Sequence, residues 1–250
     1  MSDAWPEGVA RHVLARTDST NAEALKLAPG LSGPAWVLAR EQFAGRGRRG
    51  REWVMPAGNF AGTLVLRPQG GPMAAAQLSF VAALALYDAL GLACGPAARL
   101  AIKWPNDVLL NGGKVAGILL ESSGSGPGVQ AVAVGIGVNL IAAPDPGSVE
   151  PGALRPVSVL AETGHRIAPE VLLDRLAPAF AAWEARLATE GFAPLRSAWL
   201  AHAARLGQEI RARAGAREVT GRFETIDAAG ALVLATPAGR EVIAAADVFF

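Results

Sequence analysis

Arginine and glycine alternate in EQFAGRGRRGREW, residues 41–53. Arg46, Arg48, Arg49 and Arg51 are permanently charged and fork onto phosphate or carboxylate oxygens. Gly45, Gly47 and Gly50 allow the backbone to approach a ligand and to take positive φ. The pattern suits a loop that closes over a polyanion. It also satisfies G-x-G-x-x-G, but a dinucleotide fingerprint needs a strand before it, a helix after it and an acid about 20 residues on. Residues 35–42 suit the strand. Arg51–Gly62 carries Pro56 and Gly58 without a helical period, and the next acid after Glu52 is Asp88. No Gly-Lys-Ser/Thr follows, so a Walker loop fails as well. A solvated basic loop stays open, as does an arginine-glycine contact to nucleic acid, although no aromatic stacking platform is interleaved.

A second cluster lies in IKWPNDVLLNGGKVAGILLES, residues 102–122. Asn111-Gly112-Gly113 is a hairpin turn signal. Lys114 opens the return strand at the head of Ala116, Ile118 and Leu120, a costly place for an ammonium unless it reaches water or meets an anion. A two-residue Gly112-Gly113 loop pairs Asn111 with Lys114 and sets Asp107 on the face of Lys114. A loop one residue longer or shorter puts them on opposite faces. Gly117, inside an apolar strand, marks close approach of a ligand or another backbone.

In VAVGIGVNL, residues 132–140, Val134, Ile136, Val138 and Leu140 form one face, and Ala133, Gly135, Gly137 and Asn139 the other. The first is core. The second suits the floor under a flat ligand, with Asn139 as donor and acceptor, or tight packing of a helix on the glycines. Ser19, Thr20 and Asn21 open a helix, either as simple caps or as polar ligand contacts.

These residues must be positioned by a chain of 250 residues, 51% hydrophobic and 18% charged, with a net charge of +1. That supports a sizeable core and excludes a globally basic nucleic-acid binder. The single cysteine, Cys94, excludes an internal disulfide and a cysteine-based zinc site. His12, His165 and His202 have no metal-ligand spacing. The N-terminus has no secretory pattern, and the apolar stretch Met73–Ala93 is interrupted by Gln77, Ser79, Tyr87 and Asp88, so a buried helix and a soluble cytoplasmic protein are expected.

Strands are expected at 9–16, 35–42, 61–67, 99–104, 107–111, 114–121 and 129–140. Helices are expected from a Thr20–Glu23 capping box to Ala28, and at 73–91, 169–189 and 193–204, with a loop at 142–157. After Leu206 short β-like runs with turns at Asp227–Gly230 and Pro237–Gly239 predict a small barrel. Division into residues 1–205 and 206–250 follows.

The motifs DSTN, EQFAGRGRRGREW, KWPNDVLLNGGKVAGILLE and VGIGVNL, in this order over residues 17–140, resemble those of biotin protein ligases. The resemblance implies an α+β catalytic domain related to class II aminoacyl-tRNA synthetases, with a mixed sheet, followed by an SH3-like β-barrel. It implies that biotin and ATP give biotinyl-5′-AMP, which then acylates one lysine of a biotin carrier domain, with Mg²⁺ assisting.

By motif match, Ser19, Thr20, Asn21 and Gln42 would hold the ureido ring of biotin and nearby groups, and Gly117 would let biotin pass. Gly45, Arg46 and Gly47 would lie along biotin and the adenylate. Arg48 and Arg51 would handle phosphates, and Lys114 would bridge the carboxylate and the α-phosphate, making Lys114 and Arg48 the catalytic pair. Trp53 and Asn139 would contact adenine. Asn106 and Asp107 would sit near the phosphates, with Asp107 a metal ligand.

DSTN begins 17 residues from the start, which leaves no room for an N-terminal DNA-binding domain and implies the short form. Neither DNA nor membrane is then expected as a partner, and the protein would be a monomer or homodimer. Lipoate or octanoate ligation on a related fold and a non-enzymatic binder are the rival readings. The arginine loop is expected to be mobile when empty.

Overall fold

The computed structural model describes residues 4–68, 70–124 and 129–250. A seven-stranded mixed sheet is built from β1 (Ala10–Thr17), β2 (Ala35–Gln42), β3 (Phe60–Leu66), β4 (Leu100–Lys103), β5 (Asp107–Leu110), β6 (Gly113–Ser123) and β7 (Ala131–Val138). Its order is β1-β2-β3-β7-β6-β5-β4. β1 and β2 are parallel and the other neighbours antiparallel.

The two faces differ as the alternation in the sequence requires. Trp36, Leu38, Leu64, Val134, Ile136 and Val138 point into the main core with α2 (Pro72–Cys94) and α4 (Pro169–Glu190). On the opposite face α1 (Thr20–Leu27) packs Ala24 against Ala35, Val37 and Val65. α2 is apolar enough by length and composition to cross a membrane, but most of it is buried in the core.

α1 begins one residue earlier than its capping box suggests. Ser19 is the N-cap, and its hydroxyl accepts from the Ala22 amide. Thr20 is thereby freed for other contacts. Two short elements complete this part: α3 (Val159–Thr163), capped by Ser158, and α5 (Phe192–Ala201).

The last 42 residues hold a five-stranded antiparallel sheet in the order β11-β10-β9-β8-β12, consistent with an SH3-like domain. Its strands are β8 (Glu209–Ala214), β9 (Arg217–Ile226), β10 (Leu232–Thr236), β11 (Gly239–Ile243) and β12 (Asp247–Phe249). It is fastened to the large sheet. Trp104 Nε1 donates to the Gly230 carbonyl at 3.0 Å, and Arg196 on α5 donates to the Ile226 carbonyl and to Thr225 Oγ1.

Candidate active site

The β5–β6 hairpin decides where the chemistry lies. Its turn residues are Asn111 and Gly112, both at positive φ (52° and 85°), a type I′ geometry. The turn is therefore one residue earlier than a Gly112-Gly113 loop. Leu110 pairs with Gly113 and Leu109 with Lys114, after which a bulge moves the register so that Asp107 pairs with Gly117. The extra residue is Val115, and it turns Lys114 away from Ala116 and Ile118, which lie in the core. Lys114 thus shares the face of Asp107 and Gly117. Lys114 and Asp107 share a face although the Gly112-Gly113 loop that would have put them there is not the one formed, and the lysine does not lead an apolar face.

The Lys114 ammonium lies 2.7 Å from Asp107 Oδ1, and Lys103 lies 3.7 Å from Oδ2. The first contact is a close ion pair. Burial raises the pKa of Asp107. Lys114, Lys103 and Arg48 outweigh it, and the net shift is downward. Burial lowers the pKa of Lys103 more than Asp107 raises it. Burial likewise lowers that of Arg48.

With its carboxylate held between two ammonium groups, Asp107 does not fit a resident metal site. No group of three or more His, Cys, Asp or Glu among the described residues could hold an ion.

Gly117 and Gly137 are cross-strand partners on β6 and β7, and the Trp53 indole covers both. A Cβ on Gly137 would lie 2.5 Å from the indole, and one on Gly117 3.2 Å from it. Gly135, two residues back, meets Asn21 of α1 instead, at 2.2 Å from Oδ1. The floor is therefore divided: helix packing explains Gly135, and close approach of a flat ring explains Gly137 and Gly117. Asn139 closes the floor, buried, with no partner for its Oδ1.

The polar end is a network. Gln42 Oε1 accepts from the Thr20 amide at 2.9 Å and its hydroxyl at 3.2 Å. The Thr63 hydroxyl lies 2.8 Å from Thr20 Oγ1 and 2.7 Å from Asn21 Oδ1. Asn21 Nδ2 donates to Glu121 at 2.8 Å and to the Leu119 carbonyl at 3.2 Å. Asn21 is thus fixed by protein contacts on both ends of its amide.

All four loop arginines have partners. Arg46 pairs with Glu121 at 3.3 Å, and Arg48 donates to the Ala246 carbonyl at 3.1 Å. Arg49 and Arg51 both pair with Asp247, and Arg51 also with Glu150. β2 runs into this loop and a three-residue 3₁₀ turn, Arg48–Gly50, takes the place of a dinucleotide helix.

One cavity of about 460 Å³ collects these groups. Of the residues expected from sequence, Ser19, Thr20, Asn21, Gln42, Arg46, Gly47, Arg48, Arg51, Trp53, Asn106, Asp107, Lys114, Gly117 and Asn139 line it. Gly45 stands behind the wall, where its carbonyl holds the Trp53 amide at 2.9 Å. Asn106 reaches the cavity, but its Nδ2 and carbonyl are both used by Ile118.

Sequence reasoning missed Thr63, Lys103, Glu121, Glu150 and Asp247. Thr63 and Lys103 had a signal, as polar residues in apolar strands. Asp247 had none, lying 196 positions from Arg51.

A cavity with an anion-ready rim, a glycine floor and a fixed polar end suits a ligand that carries an anionic group and a polar head. Residues 13–139 match the Biotin/lipoate A/B protein ligase family, and residues 206–250 match the Biotin protein ligase C terminal domain. The chain is 82% identical to a Biotin--[acetyl-CoA-carboxylase] ligase of Paracoccus denitrificans, over 95% of this chain and 99% of that protein. It is 34% identical to the enzyme of the same name from Mycobacterium tuberculosis, over 94% of this chain and 87% of that protein. The fold matches a biotin protein ligase from Aquifex aeolicus, solved with biotin and ATP, at a TM-score of 0.81 and 24% identity, covering 96% of this chain and 98% of the other. The chain belongs to the biotin protein ligase family.

Proposed function

We propose that this site joins biotin to ATP and passes the biotinyl group to one lysine of the biotin carrier domain of acetyl-CoA carboxylase. The observation that carries the reading is the meeting of Lys114, Lys103 and Arg48 around one buried carboxylate, in the cavity that Trp53 and Asn139 also line. In the first step a carboxylate oxygen of biotin forms a bond to the α-phosphorus, and the bond to the bridging oxygen of pyrophosphate breaks. In the second, the carrier lysine amine attacks the acyl carbon, AMP leaves and the amine loses a proton. Neither step needs a nucleophile from the enzyme. Positioning and charge supply the acceleration.

Lys114 would hold the biotin carboxylate against the α-phosphate, exchanging Asp107 for these anions. Arg48 and Arg51 would take the remaining phosphate charge, with Arg46 and Gly47 along the adenylate. Lys103 would serve beside Lys114. Thr20, Gln42 and Ser19 would meet the ureido ring, and Asn21 would shape that end through Thr63 and Glu121. The orphaned Asn139 Oδ1 suits the amino group of adenine, with Trp53 stacked on the base. Mg²⁺ enters this reading only as the counter-ion of ATP, held by phosphate oxygens.

We assign residues 1–205 to substrate binding and chemistry and residues 206–250 to the wall that closes the site. A cytoplasmic protein with neither DNA nor a membrane as partner fits this role. Incubation with biotin, ATP and an apo carrier domain should attach one biotinyl amide to one lysine, read by intact mass and peptide mapping. Attachment of lipoate or octanoate instead would keep the mechanism and overturn the substrate. An unmodified carrier would overturn both.

A further inference from the structure

The arginine loop is tied to the C-terminal domain through one carboxylate. Asp247 opens β12, where it pairs with Arg213 of β8. Its side chain is about one-tenth exposed. Oδ1 accepts from Arg51 at 2.8 Å and Oδ2 pairs with Arg49 at 2.9 Å. The preceding residue, Ala246, gives its carbonyl to Arg48. Arg213 and Glu150 brace the cluster from behind, paired with one another and reaching Asp247 and Arg51 respectively.

Arg49 carries a second sign of the same contact. Its φ is 58°, in the left-handed region that is strained for a side-chain-bearing residue unless its surroundings hold it there. Arg49 donates to the Arg213 carbonyl as well as meeting Asp247, so its two partners lie on the paired strands β8 and β12. Asp247 also lines the same cavity as Lys114. Part of the lining of the site thus belongs to the C-terminal domain, and the arginine loop is fastened at both ends: Arg46 to Glu121 of β6, Arg49 and Arg51 to Asp247.

We propose that Asp247 is a positioning residue that latches the arginine loop shut over the reaction intermediate. The inference rests on the adenylate chemistry proposed above. A two-step ligase must hold a mixed anhydride that water hydrolyses until the acceptor amine arrives, so a loop fastened from a separate domain has a use beyond binding ATP. Asp247 does this through Arg49 and Arg51 and touches neither the carboxylate nor the phosphorus that react.

Two readouts on the full-length protein test it, with the variants Asp247→Asn and Arg49→Gln. The first needs no activity: limited trypsin cleavage of the ligand-free protein within residues 46–51, under conditions where the rest of the chain resists. The second is release of pre-formed biotinyl-AMP into solution without acceptor, chased with excess unlabelled biotin. Both variants should cleave and release about tenfold faster than the parent, the factor that about 1.4 kcal/mol of contact represents. Biotin-dependent pyrophosphate exchange should stay within a few-fold. Thermal unfolding checks the fold, and Arg49→Gln, on an exposed loop, decides the matter if Asp247→Asn does not fold. Parental cleavage and release rates in a folded variant would overturn the latch. Absence of biotinyl-AMP in the parent would instead overturn the proposed function, leaving the cleavage result to judge the latch.

Discussion

Lys114 gives the sharpest expectation at the scale of single residues. Its ammonium is the group nearest the buried Asp107 carboxylate, and the bulge at Val115 is what points it there. Lys114→Ala or Arg48→Ala should cut adenylate formation by roughly 10²–10³ while circular dichroism and Tm show an intact fold. Normal turnover in either variant would refute its assigned role. The glycines make an independent test. In Gly137→Ala the new methyl would meet the Trp53 indole at 2.5 Å, so the ring must leave its seat. The ATP KM should rise roughly tenfold or more, with a smaller effect on biotin. An unchanged ATP KM would separate Trp53 from the nucleotide. At this scale the sequence was informative where a residue type is rare in its setting: a lysine beside an apolar strand, or glycine alternating with core residues. It was silent where a contact depends on distant chain. The ion pair of Arg51 with Asp247 leaves no local pattern, nor does the hydrogen bond to Asn21 from the Thr63 hydroxyl, 42 positions away.

Among the elements, β3 and α1 show how packing sets up the polar end. Thr63 faces α1 fully buried, and its hydroxyl is the partner of Asn21 Oδ1. Thr63→Val keeps the shape and removes that donor. It should destabilise the protein by about 1–3 kcal/mol, seen as a lower denaturation midpoint at constant slope, because Asn21 is left with an unmet acceptor. A midpoint unchanged from the parent would mean that the network rearranges without loss. The long elements were legible because their periods are clean: the alternation of β7 and the apolar run of α2 placed both. The β5–β6 register was not, since Asn111 and Gly112 tolerate positive φ as readily as Gly112 and Gly113, and only the bulge restores Lys114 to the face of Asp107. α3 escaped because five residues are too few to show a helical period.

Across the whole molecule, the C-terminal domain completes the site, and charge joins it to the rest. Burial raises the pKa of Asp247, but Arg51, Arg49 and Arg48 pull it further down, so it is net lowered, as is that of Asp107. A carboxyl with a lowered folded pKa contributes stability in full above its unfolded pKa and loses it as pH falls through the folded one. Tm should therefore hold steady down to about pH 5 and drop progressively below the ordinary carboxylate value of 3.8. Asp247→Asn should shallow that acid limb. An identical limb in the variant would show that the cluster is not coupled to folding.

The contact between domains is also steric. Gly230 has a φ of 86°, and a Cβ there would lie 2.6 Å from the Phe80 ring. Gly230→Ala should cost roughly 1–3 kcal/mol and lower Tm. The change of texture after Leu206 suggested a second unit, but that Asp247, Val248 and Phe249 line the site left no mark in the sequence, because it rests on contacts that only folding brings together.

The central claim is that this cavity activates biotin as its adenylate. The most direct measurement is ATP–pyrophosphate exchange by the purified protein with biotin, lipoate, octanoate or no acid. Exchange should require biotin. Exchange with lipoate or octanoate instead, or no exchange with any acid, would contradict it.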